Sequence, residues 1–193
     1  MAPDAHLNID TVGPDGKPLL PRANAIKFVH QCGVVRDNVY ISIREWNKPK
    51  GAEDARYYVS ERLKGVLWDK LIAHFTLPVL EDKKKTDDMT AKVKHFALKK
   101  MAEQFNKWKN RLYNAYQKDK IVPLFEGTLE LQREHWDAFL EYKESELAKQ
   151  RSIKNKANAA KKKYFHNTVA GGYATAVPKW DAAEADIRKK GSP

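Results

Sequence analysis

The sequence predicts a mainly α fold, a multi-helix bundle around one long central helix with a short β-hairpin near residues 34–43. Three observations carry this. From Met89 to Tyr116 there is no Gly or Pro, and Met89, Val93, Phe96, Met101, Phe105, Trp108, Leu112 and Tyr116 step by three, four or five residues, as one face of a helix requires. Two flanking segments, one around Trp68 and one around Trp136, show the same stepping. Five Trp, eight Tyr and seven Phe supply the apolar area that such a bundle must bury.

Residues 1–24 hold four of the nine prolines and two glycines with little apolar periodicity, and are expected to form a flexible arm. A helical core domain is expected over 25–150 and a basic helical segment over 151–193. In the core domain, Val39, Ile41 and Ile43 alternate as on one face of a short strand, with a turn at Arg36-Asp37-Asn38. Ser60 is a candidate N-cap for a helix carrying Leu63, Leu67, Trp68, Leu71 and Phe75, which Leu77-Pro78 ends. Thr86 with Asp87 and Asp88 suits the start of the central helix. That helix either forms the spine of a bundle or breaks near residues 97–100. Pro123 and Gly127 bound a loop, and Thr128 opens a helix with Leu131, Trp136, Phe139 and Leu147. Ser152 can cap a further basic helix, Gly171-Gly172 is a turn, and Pro178 and Gly191 suit the two ends of a last helix. The expected core comprises Trp46, Trp68, Phe75, Phe105, Trp108, Leu112, Trp136 and Phe139.

Charge is distributed unevenly. The formal net charge is +11, yet residues 91–120 alone carry +7, residues 151–193 another +7, and the stretch between them −4. Concentrated positive charge on a folded chain suits a polyanionic partner, through phosphate neutralisation and counterion release. The candidate nucleic-acid contacts are Lys107, Lys109, Asn110, Arg111 and Asn114 in the first block and Lys154, Lys156, Lys161, Lys162 and Lys163 in the second. Asn106, Asn110, Arg111 and Asn114 are of types able to read base edges. No apolar run approaches the ~20 residues that span a bilayer, so no membrane partner is expected. One cysteine, Cys32, cannot form an internal disulfide, which favours a reducing intracellular compartment.

Catalytic and metal chemistry find little support. Strand cutting by a two-metal mechanism needs converging carboxylates. Here Asp87 and Asp88 suit a helix start, and Glu141, Glu144 and Glu146 a polar helix face. The six histidines (His6, His30, His74, His95, His135, His166) and Cys32 have no zinc-type spacing. No enzyme activity, metal or cofactor is therefore expected.

Several motifs resemble the transposase-like proteins encoded by plant En/Spm-type (CACTA) transposons. They are Cys32-Gly33-Val34-Val35-Arg36-Asp37, Lys64-x-x-x-Trp68-x-x-Leu71-x-x-x-Phe75-x-Leu77-Pro78, Phe105-x-x-Trp108-Lys109-x-x-Leu112-x-x-x-Tyr116, His135-Trp136-x-x-Phe139, and Gly171-Gly172-Tyr173-Ala174 before Pro178-Lys179-Trp180. Together they cover roughly residues 26–191. The resemblance implies a plant nuclear protein that binds DNA, at transposon ends or promoters, with catalysis left to a separate protein or region. A weaker likeness, a tryptophan in each of several short helices followed by a basic helix, is to Myb/SANT and trihelix modules. It implies Trp68 and Trp108 in the core and Lys107, Lys109, Asn110, Arg111 and Asn114 facing DNA. An alternative expectation is a helical interaction module that pairs with a second copy through the apolar stripe over residues 96–116.

Overall fold

The computed structural model describes residues 6–51 and 54–161. The protein is mainly α. The chain divides into two compact units between Ser145 and Glu146, slightly ahead of the expected boundary at residue 150.

The first unit is organised by α3, an unbroken helix over Lys83–Asp119. The spine alternative therefore holds and the break near residues 97–100 does not occur. Asp82 caps its start by accepting from the Lys84 amide at 2.8 Å, four residues ahead of the expected Thr86. The helix closes at Lys120, in the left-handed conformation with φ 55°. Its apolar stripe, Val93, Phe96, Ala97, Met101, Phe105 and Trp108, is buried in the chain's own core. Leu112 and Tyr116 pack against that core partly buried. The stripe over 96–116 expected to pair with a second copy is thus largely consumed internally.

Helix α1 spans Arg22–Val35 and packs on α3 through Phe28, Cys32 and Val35. Steps of four and three place these three on one face. Gly33 lets the helices approach closely, since a Cβ there would meet Gln104 Oε1 at 2.9 Å. Helix α2, Glu61–Ile72, starts as expected at Ser60, whose side chain accepts from the Leu63 amide at 3.1 Å. It buries Leu67, Trp68 and Leu71. After α3, a 3₁₀ segment over Gly127–His135 leads into α4, Trp136–Glu144, which buries Trp136 and Phe139. All eight expected core residues lie in this core, with Leu112 at its edge.

Two further expectations fail, both in the N-terminal part of the chain. The hairpin near 34–43 is absent: residues 34 and 35 end α1, residues 36–38 form a 3₁₀ turn, and no strand is assigned between 39 and 43. Burial of Cys32 and Val35 against α3 outweighs the β preference of Val34-Val35. The alternation of Val39 and Ile41 does mark a buried face, as both are fully buried. The partner that strand pairing would provide is a side chain instead. Gln132 accepts from the Ile41 amide at 2.7 Å and donates to the carbonyls of Asp37 and Val39 at 3.0 and 3.2 Å.

Nor are residues 7–20 a free arm. They hold β1 (Leu7–Asn8), β2 (Thr11–Val12) and β3 (Pro18–Leu20). β1 pairs in parallel with β4 (Phe75–Thr76), and β2 and β3 pair antiparallel. Ile9 anchors the segment in the core, and Gly16, at φ 81°, seats the β2–β3 loop against the Lys92 carbonyl of α3.

The described part of the second unit is α5, Glu146–Ala160, with no buried residue. It begins ahead of Ser152, the expected cap, which lies inside it. The expected turn at Gly171-Gly172 and the helix between Pro178 and Gly191 fall outside the described residues, as do His166 and Trp180. No helix among the described residues is long and apolar enough to cross a membrane.

Candidate nucleic-acid interface

The first basic block lies on α3, and helical geometry sorts its members onto different faces. Positions 100, 107, 111 and 118 are separated by seven, four and seven residues, which keeps them within about 20° of one line along about 27 Å of helix. Lys107, Arg111 and Lys118 are exposed along this line, whereas Lys100 is half-buried and paired with Glu103 at 2.8 Å. Asn106 and Asn114 are exposed nearby, and exposed Asn110 accepts a hydrogen bond from Lys143 at 2.8 Å.

Lys109 does not belong to this surface. Two residues from Lys107 it turns about 200° around the helix, to the side facing the core. It is 4% exposed, and its Nζ donates to the carbonyls of Ile43 and Arg44 at 2.6 and 3.2 Å and sits 4.4 Å from the Phe105 ring centroid. Burial, reinforced by the positive charge of Lys143 and opposed by Glu45, pulls its pKa down to about 7. The expectation that Lys109 contacts nucleic acid is therefore corrected: it is an internal tie.

Arg36 and His30 join the basic face, and the sequence reading had assigned neither to it. A groove of about 450 Å³ runs between α1 and α3, lined by His30, Arg36 and Asp37 on one side and Gln104, Lys107 and Arg111 on the other. Arg36 rests on the face of Trp108, 4.7 Å from the ring centroid, and its Nη2 pairs with Asp37 at 3.2 Å. Its Nε and Nη1 are buried with no hydrogen-bond partner among the described residues, as is Gln104 Oε1. Leaving such a group unsatisfied costs about 1–3 kcal/mol, more when it is charged. Burial lowers the Arg36 pKa; Asp37 opposes that shift and the nearby Arg111 adds to it. The Asp37 carboxyl is raised by burial, with Arg36 acting against the rise. The groove wall is thus a desolvated cation beside two exposed ones.

A second cleft, of about 710 Å³, lies where the β2–β3 loop meets α3, lined by Lys17, Lys92, His95, Lys99 and Lys100 with Asp15. Its charge is partly neutralised, because Lys92 pairs with Asp88 at 2.6 Å and Lys100 with Glu103.

In the second unit Lys154 and Lys156 on α5 and Lys161 just after it are fully on the surface. Lys162 and Lys163 lie outside the described residues.

Other chemistries have thin support. Cys32 is buried, and burial pushes its thiol pKa up to about 12, against nucleophilic use at neutral pH. Among the described residues no three His, Cys, Asp or Glu side chains converge as a metal site would need. No protein-family model, curated protein or solved structure matches this chain.

Proposed function

We propose that this chain binds nucleic acid through the exposed basic face of α3, with Lys107 and Arg111 at its centre. The observation that carries the reading is their placement: two exposed cations one helical turn apart, with no ionic partner among the described residues, beside the partly buried Arg36. The exposed cations from Lys107 to Lys118 span about 17 Å of helix, which matches the rise of roughly five phosphates along one strand of B-form DNA. The likeness to transposon-encoded proteins makes double-stranded DNA the polyanion of choice, with a nuclear, non-catalytic role for this chain. The exposed lysines of α5 offer further phosphate contacts without base readout.

The experiment is a duplex titration at several salt concentrations. The expected result is a log–log slope of about −2 or steeper, since each neutralised phosphate contributes about −0.9. A slope near zero would sink the proposal.

A further inference from the structure

We infer that the groove between α1 and α3 is a subsite for one phosphate group, which the Arg36 guanidinium, Lys107 and Arg111 hold together. The inference rests on the nucleic-acid reading for the source of the phosphate, a backbone phosphate, and goes beyond it by naming where that group docks.

Three features of the groove point to an oxyanion. First, Arg36 carries two buried nitrogens, Nε and Nη1, without an acceptor among the described residues. Shielded in the groove wall, they leave the guanidinium charge only partly compensated by Asp37, and it acts on an oxyanion in the groove through its field. Second, the charges do not cancel. Asp37, the one carboxylate lining the groove among the described residues, is paired with Arg36, which leaves the exposed Lys107 and Arg111 as net positive charge. Third, Arg36 is held in place, lying on Trp108 and tied to Asp37, so little ordering is needed when a ligand arrives. His30, on the Arg36 side of the groove, offers a further ring nitrogen. The second cleft against the β2–β3 loop lacks this combination, since two of its lysines are already paired.

The test follows the Arg36 Nε–Hε resonance of the full ¹⁵N-labelled chain, assigned by its loss in Arg36→Lys. Inorganic phosphate is titrated against chloride at matched ionic strength. The expected result is a saturable shift, with apparent affinity falling roughly tenfold in Lys107→Gln and again in Arg111→Gln. Both residues are exposed, so both variants are expected to fold. Lys118→Gln, on the same helix line but outside the groove, should change affinity less than about twofold. An Arg36 resonance that does not move, or an equal loss in Lys118→Gln, would overturn the subsite.

A duplex titration separates the two ideas. Movement of the same Arg36 resonance supports a backbone phosphate as occupant. If the duplex binds with a steep salt slope and Arg36 stays put, the subsite fails and the nucleic-acid reading stands. If phosphate moves Arg36 and no duplex binds, the nucleic-acid reading fails and free phosphate is the occupant.

Discussion

The Nζ of Lys109 lies 2.6 Å from the carbonyl oxygen of Ile43, across 66 residues of sequence. With Gln132 on Ile41, it does for residues 37–44 what a neighbouring strand would do. Buried carbonyls and amides need partners, and here two long polar side chains provide them. The irregular segment that carries Val39 and Ile41 into the core is held from both sides by side chains rather than by a sheet.

A pH dependence follows for Lys109. In the unfolded chain it holds its proton up to its ordinary value near 10.5, in the folded chain only to about 7. Between those values the unfolded state binds more protons, so stability rises as pH rises. Below about 7 the penalty of the buried charge is fully in force. A neutral amine keeps two N–H groups, enough for both carbonyls. Lys143, itself lowered by burial, and Glu45 are the charged groups that bear on it. Urea unfolding at pH 7 and pH 9.5 should show the protein gaining on the order of 3 kcal/mol relative to the change in Lys109→Met. Parallel pH profiles for the two proteins would refute this.

Gln132 makes a sharper structural prediction. It is 1% exposed and satisfies one amide and two carbonyls. Gln132→Ala should cost about 2–4 kcal/mol, from the unpaired backbone groups and the void together. Gln132→Leu, close in volume, should recover only the packing part. Equal stability of Gln132→Leu and the parent in urea unfolding would show that those hydrogen bonds contribute nothing net.

Two glycines should respond in opposite directions to alanine. Gly16 combines φ 81° with a Cβ position that would overlap the Lys92 carbonyl oxygen. Gly16→Ala must therefore displace the β2–β3 loop from α3, at a cost above about 2 kcal/mol. Gly65, inside α2, has nothing within 4 Å of its Cβ position. Gly65→Ala should stabilise by about 0.5–1 kcal/mol. Thermal unfolding of the pair checks both signs.

What the sequence disclosed depended on how local the signal was. The start of α2 at Ser60 and the course of α3 rest on caps and periodicity, each written within one or two turns. The pairing of β1 with β4 is not local: Leu7 meets Phe75, and neither dipeptide announces a strand. The Arg36 groove needs α1 packed on α3 before its cations converge, so residue 36 read only as part of a turn. Lys109 is different, because its signal was present. Phe105, Trp108, Lys109 and Leu112 share the spacing of one buried helix face, and reading Lys107-Trp108-Lys109 as a basic-aromatic tract overlooked it.

That distinction yields the most direct check on the interface. Lys107 and Lys109 look equivalent as sequence, yet one is exposed and the other is bonded to backbone carbonyls inside the core. A cation that neutralises a phosphate contributes about 0.9 to the magnitude of the salt slope. Lys107→Gln and Arg111→Gln should therefore each reduce that slope by about 0.9 and weaken duplex binding several-fold. Lys109→Met should leave the slope unchanged while altering the pH profile of unfolding. Salt-dependent duplex titrations of the three variants decide the matter. If Lys109→Met flattens the slope as much as Lys107→Gln does, the buried tie is broken in the complex, and the basic face of α3 is not the one that meets the duplex.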